Sequence, residues 1–268
     1  MMRREGPRPA ARPPEGNAPV LLRSVLFNIA LYVNFLVQAL IFSPVLLLPE
    51  RYFWPVGRFW VRSSLWLHEA ICGIDDEIRG RENIPTGGFI VAAKHQSAWE
   101  TLRLVELFPR PSFILKRSLL WVPLFGWYLK KAGMVPVDRG GGSAAMEAMN
   151  AHARRAIGEG RQIIIFPEGT RRPPLAPPQY RHGVARLYRE LGVQCLPVAL
   201  NSGLFWPRRS PVHRRGTILL ACLPPIPPGR EPGIFAEELE ARIEGTTEEL
   251  IAESLARHPE LGGPVSRD

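Results

Sequence analysis

The stretch KHQSAWET, residues 94–101, places His95 just behind the apolar run GFIVAA and sets an acid, Glu100, five residues further on. A histidine released from the end of a strand is a candidate general base, because imidazole ordinarily titrates near neutral pH. A carboxylate in the first turn of the next helix can fold back onto that ring, accept its N–H, fix its tautomer and stabilise the imidazolium formed on proton transfer. The same residues carry a purely structural reading of equal weight. Ser97 and Glu100 have the Ser-x-x-Glu spacing of a capping box, in which the hydroxyl accepts a helical N–H and the glutamate reaches back to the backbone. That spacing accounts for Glu100 and leaves His95 unexplained.

No Gly-x-Ser-x-Gly elbow occurs in the chain, and Ser97 is better used as a cap than as a nucleophile. A base at His95 would therefore activate a hydroxyl that arrives with the substrate, which implies direct transfer onto an alcohol. A second candidate is QIIIFPEGTRR, residues 162–172. Its glycine permits a tight backbone, and Thr170 and Arg171 can point at one oxyanion. The plainer reading is a strand-end turn with solvated arginines. Lys116 and Arg117, directly after FIL, read by themselves as a solvated charge pair.

These residues must be held by an alternation of strands and helices. GFIVAAKH, PSFILK, MVPVDR, RQIIIFPEGT, VQCLPVAL and TILLACLPPI read as six strands. Helices are expected over residues 97–108, within WVPLFGWYLKKAG, AAMEAMNAHARRAIGEG and GVARLYRELG, and over residues 235–257. The fold class is α/β: a mixed, largely parallel sheet flanked by helices, in which ligands collect at the carboxyl ends of the strands. His95, Lys116, Asp138 and Glu168 all fall at such ends.

Ahead of this unit, residues 24–49 contain no charge, a run long enough to cross a bilayer core. Trp54, Phe59, Trp60 and Trp66 then alternate with arginines, as in a helix lying at headgroup level. Together they predict a membrane-anchoring helical hairpin bent near Pro44 to Pro49. Arginines flank both sides of the run, so the positive-inside rule does not choose an orientation. The expected division is a basic disordered tail over 1–23, membrane-anchoring helices over 24–70, a catalytic domain over 71–235, and an amphipathic helix and tail over 236–268.

Lys and Arg outnumber Asp and Glu by 34 to 25, which favours anionic partners. The basic residues are dispersed and the aromatics concentrate near the apolar run, so nucleic acid is not an expected partner. A non-enzymatic lipid-binding role would use the basic loop RRSPVHRR, residues 208–215. Cys72, Cys195 and Cys222 lie far apart without metal-ligand spacing and read as reduced, buried thiols. His152, His182, His213 and His258 have no partner recognisable in the sequence.

Taken in order, the motifs resemble the glycerolipid acyltransferase superfamily, specifically the 1-acyl-sn-glycerol-3-phosphate acyltransferases. The histidine-x4-acid block is similar to residues 95–100, the second block to FILKRSLLWVPLFGW, the third to FPEGTR and the fourth to LPVALNSG. Glu100 stands where most members carry aspartate, and Arg181 where lysine is more usual. The resemblance implies a glycerol-3-phosphate acyltransferase-like fold and an acyl transfer from acyl-CoA or acyl-carrier protein to the sn-2 hydroxyl of lysophosphatidate, giving phosphatidate. It gives His95 the role of base and Glu100 that of its orienting acid. Lys116, Arg117 and Arg171 would hold the phosphomonoester, with Glu168, Gly169 and Thr170 shaping its pocket. It implies no metal or other cofactor, and a place on the bilayer at the cytoplasmic face of a bacterial inner membrane. Another lysophospholipid or an amino-lipid hydroxyl is the alternative acceptor.

Overall fold

The computed structural model describes residues 17–138 and 142–262. Most of the expected amino-terminal tail, residues 1–16, lies outside the described residues. Helix α1 spans Asn17–Ile41 and so begins seven residues before the uncharged run. Residues 17–23, assigned from sequence to the disordered tail, are helical. Val20, Leu21 and Leu22 extend the apolar surface toward the amino terminus, and Pro19 sits in the first turn, where its missing N–H costs nothing. Pro44 and Pro49 punctuate the turn that follows, a 3-10 segment over Ser43–Leu47, before α2 over Glu50–Cys72. The expected helical hairpin is present. Its interface is partly polar: Asn34 Nδ2 donates to Ser63 and Ser64 Oγ, each at 3.0 Å, and Gln38 Nε2 donates to Ser63 Oγ at 2.9 Å.

The α/β unit contains strands β1 (Ile74–Arg79), β2 (Phe89–Ala93), β3 (Pro111–Lys116), β4 (Val135–Val137), β5 (Gln162–Ile165), β6 (Cys195–Leu200) and β7 (Gly216–Cys222). Its helices are α3 (Trp99–Leu107), α4 (Phe125–Lys131), α5 (Gly142–Gly158), α6 (Gly183–Leu191) and α7 (Pro232–Arg257). The strands form one seven-stranded sheet in the order β1-β7-β6-β2-β5-β3-β4. Every pair is parallel except β6 with β7. The sheet is thus mixed and largely parallel, as expected, but it has one strand more than the sequence reading found. The addition is β1, IDDEIR, whose acids give it low strand propensity. It lies at the sheet edge against β7, where charge is tolerated and discourages pairing with another chain.

Alternation along β2 divides the core. Phe89, Val91 and Ala93 join the cluster that includes Phe27, Phe53 and Trp54 of the hairpin. Ile90 and Ala92 join the cluster beneath α5, α6 and α7. The hairpin therefore shares a hydrophobic core with the sheet. It is also incompletely covered: Leu22, Ile29, Tyr32 and Leu40 are 57–71% exposed. The stretch Ala18–Ile41 is long and apolar enough to cross a membrane.

Candidate active site

β2 ends at Ala93, and the chain turns through Lys94, His95, Gln96 and Ser97 into α3. Helix α3 begins at Trp99, two residues later than predicted, and its N-cap position is Ala98. The capping interactions survive in displaced form. Ser97 Oγ accepts from Trp99 N–H at 3.2 Å, while Glu100 Oε1 accepts from the N–H groups of Gln96 and Ser97 at 2.8 and 2.7 Å.

The same Glu100 oxygen lies 2.8 Å from His95 Nδ1, and Oε2 accepts from Ser202 Oγ at 2.7 Å. The two readings of Glu100 are therefore compatible: one buried carboxylate tightens the turn and orients the imidazole. Its four bonds fix it so firmly that the ring has little rotational freedom. An Nδ1–H donated to Glu100 leaves Nε2 as the basic nitrogen. The ring is stacked on Phe166, with centroids 3.8 Å apart and planes at 14°, and its side chain is 15% exposed. The amides of Gln96, Ser97 and Trp99 are occupied by Glu100 and Ser97, so these donors at the helix start are not directed at a developing oxyanion.

His95 lines a cavity of about 750 Å³ that runs between the hairpin and the carboxyl ends of the strands. Phe35 and Ala39 of α1, Trp54 and Trp60 of α2, and Phe113 and Leu115 of β3 make an apolar wall. Gln38, Thr101, Lys116, Asp138 and Arg181 add polar side chains to the lining, and Gly169 contributes backbone. Of the residues singled out in the sequence, the fold brings His95, Lys116, Asp138, Gly169 and Arg181 to this cavity. Glu100 lies directly behind His95.

The others lie elsewhere. Arg117 opens an exposed 3-10 turn, and neither it nor Thr170 or Arg171 contributes to the lining. Arg171 is half-buried, and its carbonyl accepts from Arg208 Nη1 at 2.8 Å. Glu168 is buried and bonded to Lys94 Nζ at 3.1 Å rather than facing the cavity. Arg181, noted in the sequence as a departure, lines the cavity where Arg171 does not. Gly169 accommodates it: at φ +66° the residue is left-handed, and a Cβ there would lie 3.1 Å from Arg181 Nε.

Several residues were missed. Ser202 and Gly203, within the LPVALNSG block, brace the turn: Ser202 holds Glu100, and Gly203 N–H donates to Gln96 Oε1 at 3.0 Å. The hydroxyl and glycine were visible in sequence, but nothing there pointed to a carboxylate about a hundred residues away. His213, without a partner in the sequence reading, meets His68: Nδ1 of His213 and Nε2 of His68 are 2.9 Å apart. Cys72 completes a buried His68–Cys72–His213 cluster whose ligand atoms lie within 4.8 Å of one another. At 2.9 Å the two nitrogens share a proton. The pair joins α2 to the loop before β7 as a hydrogen bond.

Comparisons with known proteins identify the family. The acyltransferase family model matches residues 76–201. The chain is 34% identical over 235 residues to a 1-acyl-sn-glycerol-3-phosphate acyltransferase of Pseudomonas aeruginosa, covering 87% of this chain and 91% of that protein. It is 27% identical to the enzyme of the same description from Saccharomyces cerevisiae over 71% of this chain and 66% of that one. The fold matches the crystal structure of the 1-acyl-sn-glycerophosphate acyltransferase PlsC of Thermotoga maritima with a TM-score of 0.73, at 22% identity, over 86% of this chain and 97% of that one. With a fixed imidazole–carboxylate pair at the mouth of an apolar cavity, and with these relatives, the chain is an acyltransferase and belongs to the 1-acyl-sn-glycerol-3-phosphate acyltransferase family.

Proposed function

We propose that the enzyme transfers an acyl group from a thioester, acyl-CoA or acyl-carrier protein, to the sn-2 hydroxyl of 1-acyl-sn-glycerol-3-phosphate, yielding phosphatidate and free thiol. The observation that carries this reading is the 2.8 Å contact between His95 Nδ1 and Glu100 on a ring that opens into a long apolar cavity. Nε2 of His95 takes the proton of the acceptor hydroxyl as its oxygen attacks the thioester carbonyl. The new C–O bond forms, the C–S bond breaks, and the imidazolium returns the proton to the departing sulfur. Glu100 stabilises that imidazolium throughout. No metal or redox cofactor enters these steps.

The acyl chain extends into the aromatic wall toward α1 and α2. The phosphomonoester binds at the cationic end, where Lys116 and Arg181 project into the cavity, with Arg117 and Arg171 adding positive potential from outside it. Glu168 and Thr170 act through the shape of their loop and Gly169 through its lack of a side chain. The exposed apolar surface of α1 supports a reaction at a bilayer, where acceptor and product reside, and we assign the catalytic domain to the cytoplasmic face of a bacterial inner membrane.

The test is transfer of radiolabelled acyl groups to lysophosphatidate by the full chain in detergent. His95→Ala is expected to lower the rate by about 10³-fold. Equal activity in the variant, or activity restricted to phosphate-free acceptors, overturns the reading.

A further inference from the structure

Beneath the catalytic turn lies a second set of ionisable groups that the proposed reaction does not use. Alternation along β2 continues beyond the strand, so Lys94 projects to the opposite side of the sheet from His95. Lys94 is 2% exposed, and its Nζ lies 3.1 Å from Glu168 Oε1 and 2.8 Å from both carboxylate oxygens of Glu244, in the middle of α7. Tyr180 donates its hydroxyl to Glu244 Oε1 at 2.9 Å. A buried ammonium is tolerated when it is paired this fully, and such a pair resists displacement because either partner left alone would be an uncompensated buried charge.

What these partners are joined to gives the cluster its significance. Glu168 precedes Gly169, and Tyr180 precedes Arg181, the two residues that meet at the cationic end of the cavity. The backbone links the same segments: Arg181 N–H donates to Pro167 O at 3.0 Å, and Arg172 N–H donates to His95 O at 2.8 Å. Burial pushes the Glu168 carboxyl above its usual range while Lys94 opposes that shift, as expected for a carboxylate held in place by one ammonium.

We propose that Lys94, Glu244 and Tyr180 form a clamp through which α7 sets the position of the Gly169 loop and the Arg181 guanidinium. Glu244, about seventy-five residues beyond the loop it controls, is then a positioning residue for the anionic part of the acceptor. Lys94, Glu244 and Tyr180 do not line the cavity, so the clamp acts on substrate through the loop and not by contact.

Its kinetic test rests on the acyl-transfer reading above. Glu244→Leu leaves a neutral Lys94–Glu168 pair, and its fold is checked by circular dichroism. In the full chain in detergent, KM for 1-acyl-glycerol phosphate is expected to rise roughly tenfold, with KM for the acyl donor staying within about twofold. Glu244→Asp should recover most of the loss. Should Glu244→Leu fail to fold, Tyr180→Phe carries the same comparison by removing one hydroxyl. A fall in kcat that merely follows the folded fraction, with acceptor KM unchanged, overturns the clamp. Should the wild-type chain transfer no acyl group, the functional reading fails and amide exchange decides the clamp by itself. Protection of Gly169, Arg172 and Arg181 should then drop in Glu244→Leu and return in Glu244→Asp; unchanged protection overturns it.

Discussion

Glu100 has two duties that different substitutions separate. Glu100→Gln keeps the volume and one accepting oxygen but cannot stabilise an imidazolium as an anion does. We expect an activity loss of about 10²- to 10⁴-fold with a thermal midpoint near that of the wild type, read by acyl transfer and calorimetry on one preparation. Glu100→Ala also orphans the amides of Gln96 and Ser97, so its midpoint should fall as well, for a cost of about 1–3 kcal/mol. Gly169→Ala is predicted to be harmful for two reasons, its positive φ and the Arg181 side chain 3.1 Å from the new methyl. Acceptor KM should rise more than donor KM. The His95–Glu100 pair was legible in the sequence because one short turn supplies both residues, although the spacing served a capping box equally well. Arg181 and Arg171 could not be told apart that way. Both lie between β5 and α6, and the fold brings the first to the cavity lining and not the second.

Among the elements, β2 and β5 were legible because strands buried on both faces are continuous apolar runs. β1 was not, since its pairing with β7 is dictated by topology while its acids argue against a strand. The same distinction separates the hairpin's apolar length, which sequence gives, from its attachment to the sheet, which sequence does not. That attachment includes the His68–His213 bond, surrounded by Phe27 and Trp206. Burial holds both imidazoles well below their usual titration range and therefore neutral. The unfolded chain binds the additional protons first, so this contribution is fully present above an ordinary histidine pKa and is lost as pH falls toward the depressed folded values. Melting in detergent should consequently shift to lower temperature between about pH 7 and about pH 5, and His213→Phe should reduce that slope. An unaltered slope would assign the acid sensitivity to other groups.

At the scale of the whole molecule, the hairpin is both the surface offered to a bilayer and one wall of the cavity. Ala39, 4% exposed, lies on that wall. Enlarging it should shorten the space available to an acyl chain. Ala39→Leu is predicted to favour donors shorter by a few carbons, measured as the ratio of kcat/KM across a donor series, with little change for a short donor. An apolar space of about 750 Å³ in the folded chain also has a thermal consequence. A hydrocarbon tail bound there gains dispersion contacts along the lining that the unfolded chain does not offer. Filling it should raise the melting temperature in proportion to the logarithm of lipid concentration, so the heat resistance of the protein would track the supply of its own substrate.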